Sequence, residues 1–343
     1  MANYKVGVVG CGNIFPMHAV SVTEMDNTEL VAVCDIKEDR AREKGEEFSV
    51  DYFTDYKEMI NKIDLDVLHV CTPHYLHAPI VIDACKAGLH VLTEKPMSIK
   101  FEDAEEMVKA AEDNDVTLGV IFQNRYNPGA VLIKNTLESE ALGKIHSGKL
   151  SVTWDRSDEY YTGSDWKGTW EKEGGGVVID QAIHTLDLMR WFVDDEIEYV
   201  DANISNRAHD IIEVEDSAEG IIKYKNGVLT GFYTINYYSY NAPVEIELHC
   251  ENGLIKMVSD NASVKFNDGR EFIAGPNPNE SFNYGNVKSY WGVSHTKQIK
   301  NYYQALEKGV EPDVTGADAL KTQKMVCAIY QSGKSGKKVV FDD

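Results

Sequence analysis

Short apolar runs recur along the first 122 residues, and polar segments with helical character separate them. Runs that are apolar at nearly every position are typical of parallel strands buried on both faces. The predicted strands are Lys5–Val9, Leu30–Cys34, a short one at Tyr52-Phe53, Val67–Cys71, His90–Thr93 and Thr117–Phe122. The first predicted helix begins after Asn13 and ends at about Met25. The others are Tyr56–Ile63, Ala78–Ala87 and Phe101–Asp113. This alternation predicts a doubly wound parallel sheet with helices on both faces.

The pattern changes after Asn124, where longer segments alternate between apolar and polar positions. Asn226-Gly227 and Asn252-Gly253 are typical of hairpin turns, so the second sheet is predicted to be mainly antiparallel. Its predicted strands are Lys144–Asp155, Val200–Arg207, Ser217–Tyr224, Val228–Tyr237, Val244–Cys250 and Leu254–Val258. The predicted helices are Gly129–Leu137, Val177–Phe192, Ser294–Glu307 and Gly316–Ser332. The sequence thus predicts an α/β chain of two domains, 1–124 and 125–343, whose last helix may return to the first domain.

Composition excludes several classes of partner. The 343 residues carry a formal net charge of −22, whereas nucleic acids and anionic membranes bind basic surfaces. The six cysteines are scattered through apolar segments without a C-x-x-C pair, which indicates buried free thiols. No apolar run is long enough to span a bilayer, and the first residues lead directly into a strand. We therefore expect a cytoplasmic protein with no nucleic-acid or membrane partner.

A glycine turn joins the first predicted strand to the first predicted helix. Gly10 and Gly12 would let a pyrophosphate approach the backbone N–H groups of Asn13 and Ile14 at the helix N-terminus. Asp35 ends the second strand, where a carboxylate can accept hydrogen bonds from an adenosine ribose. Because the same carboxylate would repel a 2′-phosphate, the sequence favours NAD over NADP.

Two further segments carry candidate chemistry. Glu94-Lys95-Pro96 follows a strand that must end at the proline, so Lys95 projects from the edge at which open α/β sheets bind ligands. Asp180 and His184 are spaced four residues apart on a predicted helix and therefore share one face. A carboxylate beside an imidazole raises its proton affinity and orients it, as a base that removes a hydroxyl proton requires.

Together these motifs resemble the Gfo/Idh/MocA oxidoreductases, and the inositol 2-dehydrogenase and sugar dehydrogenase branch in particular. The order of the glycine turn, Asp35, Cys71-Thr72-Pro73, Glu94-Lys95-Pro96 and the Asp180-x-x-x-His184 helix carries the resemblance along nearly the whole chain. It implies a Rossmann domain over 1–124 that binds NAD(P). It also implies an α+β domain over 125–343 that contacts the substrate and forms a homodimer or homotetramer.

The resemblance also implies roles for individual residues. The catalytic set falls on Lys95, Asp180 and His184, which also contact the substrate. Cofactor-binding positions fall on Thr72, Pro73, His77, Glu94 and Lys95, and those of Thr72, Pro73 and Glu94 line the nicotinamide side. Phe15 replaces the third glycine of the nucleotide fingerprint, at a position that varies in the family. No metal site is expected.

Substrate contacts are poorly marked by motif. Arg125, Tyr126 and Trp166 are candidates because they could offer hydroxyl partners and a flat apolar face to a sugar or polyol. The predicted activity is NAD-dependent hydride transfer from a secondary hydroxyl. Three alternatives remain at this stage: a reductase of keto or anhydro sugars, an enzyme that cleaves glycosides through transient oxidation, and a non-catalytic NAD-binding regulator.

Overall fold

The computed structural model describes residues 3–280, 282 and 294–341, and the chain divides into two units. The first unit combines Met1–Gln123 with Glu280–Lys321, and the second combines Asn124–Asn279 with Thr322–Asp343. The sequence predicted one boundary after residue 124, with a possible return of the last helix to the first domain. In the structure, the returning segment begins at Glu280 and includes a helix before the last one.

A six-stranded parallel sheet forms the centre of the first unit, with strand order β3-β2-β1-β4-β5-β6. Its strands are β1 (Tyr4–Val9), β2 (Thr28–Cys34), β3 (Asp51–Phe53), β4 (Val67–Val70), β5 (His90–Thr93) and β6 (Leu118–Val120). The order reverses beside β1, so the carboxyl ends of β1 and β4 adjoin the point where nucleotides bind in such folds. The predicted parallel sheet is confirmed.

Five helices connect these strands. They are α1 (Phe15–Thr23), α2 (Glu38–Phe48), α3 (Tyr56–Lys62), α4 (His77–Lys86) and α5 (Phe101–Asp113). The sequence analysis missed α2, because its eleven residues bury only Ala41 and Gly45 and show no apolar stripe. Charged side chains occupy most of its remaining positions, so the hydrophobic pattern carries almost no helical signal.

A nine-stranded mixed sheet forms the second unit, in the order β14-β13-β12-β11-β7-β10-β9-β8-β15. Its strands are β7 (Ile145–Thr153), β8 (Ile197–Ser205), β9 (Ser217–Tyr224), β10 (Leu229–Ile235), β11 (Glu245–Cys250), β12 (Gly253–Val258), β13 (Asn261–Phe266), β14 (Glu271–Ala274) and β15 (Val339–Val340). Among the strands in the described ranges, only β7 and β10 of this sheet pair in parallel. The mainly antiparallel sheet was predicted correctly, but β13, β14 and β15 were missed.

Helices cover one face of this sheet, because α6 (Pro128–Glu138) packs on β13 and α8 (Ile183–Val193) packs on β7. In the sequence, the short helix α7 (Asp158–Thr162) follows β7 and precedes α8, and it was not predicted. A π-helical turn, Val177–Ala182, leads directly into α8. The predicted continuous helix from Val177 therefore begins with a widened turn.

The last two helices are α9 (Ser294–Lys308) and α10 (Gly316–Ser335). Helix α9 belongs to the first unit because its apolar face packs on α1 and buries Ile299, Tyr302 and Tyr303 in the core beneath the parallel sheet. Helix α10 passes from the first unit into the second, where Ser332 bonds the backbone of β8. None of the helices in the described ranges is long and apolar enough to cross a membrane.

Candidate active site

The glycine turn lies at the carboxyl end of β1, where Gly10 has a positive φ of 98°. Its N–H donates to the Cys34 carbonyl over 2.7 Å, which ties the turn to β2. A Cβ at Gly10 would lie 2.5 Å from the carbonyl oxygen of Cys71 at the end of β4. Only glycine satisfies both the dihedral angle and the close approach.

The backbone after this turn is open to a ligand. A Cβ built on Gly12 would meet no atom within 4 Å, and Asn13 is exposed. Helix α1 begins after Ile14 without a side-chain cap, and Pro16 lies in its first turn. The N–H groups of Phe15 and Met17 bond the carbonyls of Gly12 and Ile14, and Pro16 has no N–H. The open backbone at Gly12 and Asn13, together with the helix dipole, therefore provides the arrangement that can bind phosphate.

Asp35 connects the glycine turn to the segment after β2. One carboxylate oxygen accepts the N–H of Cys11 over 2.9 Å, and the other accepts the N–H of Lys37 over 2.8 Å. These contacts fix the orientation of the carboxylate at the sheet edge. Each oxygen can accept a further hydrogen bond, so Asp35 is able to bind a hydroxyl.

The ends of β4 and β5 complete this edge. Thr72 Oγ1 is buried and has no hydrogen-bond partner among the described residues. His77 is fully buried, and its two ring nitrogens lie 2.8 Å from the Thr72 carbonyl and 2.7 Å from the Pro96 carbonyl. It thereby joins the loop after β4 to the loop after β5, in which the Lys95-Pro96 peptide bond is cis.

The residues of this edge fit NAD. The open space at Gly12 and the uncapped N-terminus of α1 suit a pyrophosphate, and Asp35 suits an unphosphorylated ribose. The unpartnered Thr72 hydroxyl offers a polar contact on the same edge. The structure brings these predicted cofactor positions together because β2, β1, β4 and β5 are successive neighbours in the sheet.

Glu94 and Lys95 follow β5 at the same edge. Lys95 is partly exposed, whereas only 6% of Glu94 is accessible to solvent. Burial acts to raise the pKa of Glu94, but contacts with His18 and His295 outweigh it and hold this pKa well below its usual range. The Glu94 carboxylate therefore remains ionised, and one of its oxygens accepts the backbone N–H of Lys95 over 3.2 Å.

In the second unit, Glu215 and Tyr330 anchor the π-helical turn. The Glu215 carboxylate accepts the N–H groups of Gly176 and Val178 over 2.9 and 3.0 Å, and the Tyr330 hydroxyl accepts that of Ile179 over 3.1 Å. A Cβ at Gly176 would lie 1.9 Å from the Glu215 carbonyl oxygen, so any side chain at this position would clash with the Glu215 backbone. These contacts fix the turn that carries Asp180.

Three side chains bind the Asp180 carboxylate through its Oδ2 atom. Lys167 Nζ and Gln181 Nε2 lie 2.7 Å away, and the Tyr160 hydroxyl donates over 2.5 Å. Lys167 also contacts the Tyr160 hydroxyl and lies 3.9 Å from the centre of its ring. The carboxylate is thus paired with an ammonium group and held in one orientation.

His184 lies in the first turn of α8, one turn after Asp180, and it is partly exposed. Asp180 and His184 therefore lie on the same short segment, and their sharing of one face stays a prediction. A partly exposed imidazole can take up or release a proton.

Arg125 differs from the other candidate substrate contacts. It is 5% exposed, and its Nε and Nη2 atoms donate to the two oxygens of Asp187 over 2.7 and 2.6 Å. Asp187 also accepts the Thr322 hydroxyl over 2.7 Å. Arg125 therefore forms a buried ion pair that joins the segment before α6 to α8. Tyr126 and Trp166 are partly exposed, and the Trp166 ring lies 4.9 Å from Lys167 Nζ.

Lys167, Gln181 and Tyr160 were not predicted from the sequence as partners of Asp180. The available signal was the Trp166-Lys167 pair between an aromatic segment and the glycine run. A single lysine forms no periodic pattern, however, so the pairing of Lys167 with Asp180 can be recognised only in the folded chain. No three side chains among the described His, Cys, Asp and Glu residues are arranged to hold a metal ion.

Glu173, immediately before the glycine run, should make stability depend on pH. It is fully buried, and burial together with the Asp180 charge raises its pKa from 4.5 to about 8. Between these values the folded protein retains a proton that the unfolded chain has lost. The free energy of unfolding therefore falls as pH rises, by about 1.4 kcal/mol per pH unit for this group.

Replacing Glu173 with glutamine should remove this dependence. The wild type should lose about 2 kcal/mol more unfolding free energy than Glu173→Gln between about pH 6 and about pH 8. Urea unfolding at both pH values measures the difference. The exposed neighbour Glu171 provides the control, and equal pH dependences for Glu171→Gln and Glu173→Gln would contradict the assignment.

Two family models match the chain. Residues 4–122 match the model described as an oxidoreductase family with an NAD-binding Rossmann fold, and residues 131–256 match the GFO/IDH/MocA C-terminal domain. Together these segments span more than half of the 343 residues. The models divide the chain between a nucleotide-binding part and a second, different part, as the two sheets do.

Individual proteins are similar to the chain along its whole length. The myo-inositol 2-dehydrogenase of Thermotoga maritima is 26% identical over 352 residues, covering 99% of each chain. The WlbA dehydrogenase from Bordetella pertussis, solved in complex with NADH and UDP-GlcNAcA, is 29% identical, with a TM-score of 0.86 over 99% of both chains. Levoglucosan dehydrogenase, solved with NADH and levoglucosan, shares the fold at 23% identity, with a TM-score of 0.88 over 99% of this chain and 100% of that one. The motifs, the two sheets and both family models agree, and the chain is a member of the Gfo/Idh/MocA family of NAD-binding oxidoreductases.

Proposed function

We propose that this enzyme transfers a hydride between NAD and a secondary hydroxyl of a sugar, inositol or related polyol. The observation that carries the proposal is the Asp180 carboxylate, bound by Lys167, Tyr160 and Gln181 one turn before His184. The similarity to an inositol dehydrogenase, and to a dehydrogenase solved with NADH and a nucleotide sugar acid, supports this substrate class.

Removal of a hydride from a secondary alcohol requires that the hydroxyl proton leave as well. We assign proton removal to His184, because a base matched to the working pH contributes about 10²–10⁴-fold to the rate. Asp180 orients the reacting polyol and the base, since Lys167 and Tyr160 hold its carboxylate in place. Bound NAD supplies the redox step, accepting or returning the hydride at the nicotinamide ring.

Lys95 has a different role in this proposal. Its ammonium group donates a hydrogen bond and supplies positive charge to the alkoxide that develops as the proton leaves. A preorganised donor of this kind acts mainly in the transition state, when the negative charge forms. The Glu94 carboxylate supports this assignment, because it fixes the Lys95 backbone N–H at the end of β5.

Asp35 should determine the choice of cofactor. Replacing it with serine removes a strong hydrogen-bond acceptor for the ribose hydroxyls. It also removes the negative charge that would repel a 2′-phosphate. We expect NAD affinity to fall by about 10- to 100-fold in Asp35→Ser, as for loss of a hydrogen bond to a charged group, and the ratio of NADP to NAD affinity to rise.

Titration of protein fluorescence with each cofactor measures both effects. Asp39→Asn is the control, because Asp39 is an exposed residue of the following helix and pairs with Arg42. An NAD affinity equal to that of the wild type would contradict the role of Asp35. So would an unchanged preference between the two cofactors.

Reduction of NAD by a substrate panel tests the proposed activity. The panel contains inositols, aldoses, anhydro sugars, glycosides and nucleotide sugar acids, and NADH absorbance reports turnover. We expect NADH from at least one class. Sugar release from glycosides without net NADH would instead indicate cleavage through transient oxidation. NAD binding without turnover of any panel member, in either direction, would favour a regulator.

We further propose that the enzyme is a cytoplasmic homodimer or homotetramer without nucleic-acid or membrane partners. The net charge of −22 opposes binding to polyanions. The nine-stranded sheet exposes Leu229, Tyr233, Val258 and Phe272, apolar residues that a second copy could cover. Light scattering should therefore give a mass at least twice that of the chain, and a monomeric mass would contradict this proposal.

A further inference from the structure

A chain of buried polar side chains crosses the first unit from α9 to the end of β5. The Tyr303 hydroxyl lies 2.8 Å from His69 Nε2, and His69 Nδ1 lies 3.0 Å from His18 Nδ1. His18 Nε2 lies 3.1 Å from a Glu94 oxygen. Tyr303, His69 and His18 are completely buried. Four separate elements thus contribute one polar group each to a single connected path that reaches the residue before Lys95.

The chemistry of the groups gives this path a direction. The ionised Glu94 carboxylate only accepts, so His18 must donate from Nε2. Burial lowers the pKa of His18, and it lowers the pKa of His69 well below the ordinary value, so both rings are neutral. A neutral His18 then accepts at Nδ1 from His69 Nδ1–H, and His69 accepts at Nε2 from Tyr303 O–H. With neutral rings, one arrangement of protons satisfies all three contacts.

The path ends on the group that holds the Lys95 peptide. One Glu94 oxygen accepts from His18, and His295 Nε2 lies 3.5 Å from the same oxygen. The other Glu94 oxygen accepts the backbone N–H of Lys95 over 3.2 Å. If His18 presented an unprotonated Nε2 instead, two lone pairs would face each other and the carboxylate would be pushed from this position.

We propose that Tyr303, His69 and His18 are positioning residues for Lys95, which act by selecting the His18 tautomer that anchors the Glu94 carboxylate. The inference rests on the proposed function, because it assumes that Lys95 stabilises the alkoxide. Glu94 sets the direction at one end of the path, and the Tyr303 hydroxyl stabilises the same arrangement from the other end by donating to His69. A change in this hydroxyl should therefore reach Lys95 through four hydrogen bonds, although the Tyr303 side chain itself is completely buried.

Tyr303→Phe tests this inference, with Tyr302→Phe as the matched control. Both tyrosines are buried on α9, and the Tyr302 hydroxyl donates to the Thr117 carbonyl over 3.0 Å. Each substitution removes one buried hydroxyl and one hydrogen bond, so similar decreases in Tm are expected. Only Tyr303→Phe should lower kcat, by about threefold to tenfold as one lost hydrogen bond allows, while KM and the Kd of NAD stay unchanged.

Coupling to Glu94 separates positioning from general destabilisation. In a Glu94→Gln background, Tyr303→Phe should cause no further loss of kcat, because the carboxylate through which it acts is already gone. An undiminished effect in that background would overturn the inference. Equal kcat values for Tyr303→Phe and Tyr302→Phe would overturn it as well.

Two substitutions of His18 provide an independent test if Tyr303→Phe does not fold. In His18→Gln the side-chain amide can occupy the position of Nε2 and still donate to Glu94. In His18→Asn the amide lies nearer the position of Nδ1 and loses that donation. We expect kcat to be higher in His18→Gln than in His18→Asn, and the reverse order would contradict the inference.

Failure of the inference and failure of the proposed function give different results. If Lys95→Met loses turnover while Tyr303→Phe behaves like Tyr302→Phe, Lys95 is catalytic and the hydrogen-bond path does not position it. If Lys95→Met retains full turnover, the proposed role of Lys95 is wrong and the inference falls with it.

Discussion

Replacing His184 with alanine is expected to lower kcat by about 10²–10⁴-fold, the contribution of a general base, while NAD still binds with its normal Kd. The side chain belongs to the second unit, whereas the open glycine turn and Asp35 belong to the first. Loss of the imidazole therefore removes proton transfer without changing the groups that fit the dinucleotide. Steady-state kinetics on the substrate identified by the panel, with NAD titration in parallel, measures both quantities.

His249→Ala is the matched control for this prediction. His249 also lies in the second unit, is exposed on β11 and contacts Glu247 over 2.8 Å. Its removal should leave kcat at the wild-type value. If His184→Ala retained near-normal turnover, another group would have to accept the proton, and the assignment of the base would be wrong.

Replacing Lys95 with methionine should lower kcat by about 10²–10³-fold, as loss of one preorganised donor does at other developing oxyanions. Methionine keeps most of the apolar length of the side chain, so the change removes mainly the charge and the donor. Because the interaction is strongest in the transition state, kcat and kcat/KM should fall by similar factors.

Lys100→Met provides the corresponding control. Lys100 is exposed immediately before α5, and it belongs to the same unit and the same connection as Lys95. Its loss should leave both kinetic constants unchanged. A Lys95→Met enzyme with raised KM but normal kcat would show that Lys95 only binds the substrate and does not stabilise the alkoxide.

The sequence predicted the parts of the molecule that depend on local pattern. The order of β1, glycine turn, α1 and β2, with an acid at the strand end, follows from periodicity and from the conformational needs of glycine. The family resemblance rested on the same short segments, and the family models confirm it. The parallel and mainly antiparallel sheets were likewise predicted, because buried and half-exposed strands have different patterns.

The features that were missed depend on contacts between distant residues or on weak patterns. Helix α2 has hardly any apolar face, and β15 has only two residues. The π-helical turn arises because Glu215 and Tyr330, far along the chain, accept N–H groups that an ordinary helix start would leave open. The path from Tyr303 to Glu94 joins residues that lie far apart in the sequence and form no recognisable motif.

The ion pair between Arg125 and Asp187 could not be predicted from the sequence. An arginine after the last parallel strand could contact a substrate, but the chain supplies Asp187 more than sixty residues later and buries both groups together. A buried ion pair needs excellent geometry and full hydrogen bonding, and Thr322 adds the further contact. Sequence alone does not reveal that such a partner exists.

Transfer of deuterium from a labelled substrate to the cofactor is the measurement that tests the central claim most directly. The wild-type enzyme is mixed with NAD and a panel sugar or inositol that carries deuterium on its ring carbons, and the reduced cofactor is examined by mass spectrometry. We expect NADH that carries the deuterium, with a far slower transfer in His184→Ala. No reduction of NAD by any labelled substrate, or reduced cofactor that lacks the label, would contradict direct hydride transfer from a secondary carbon.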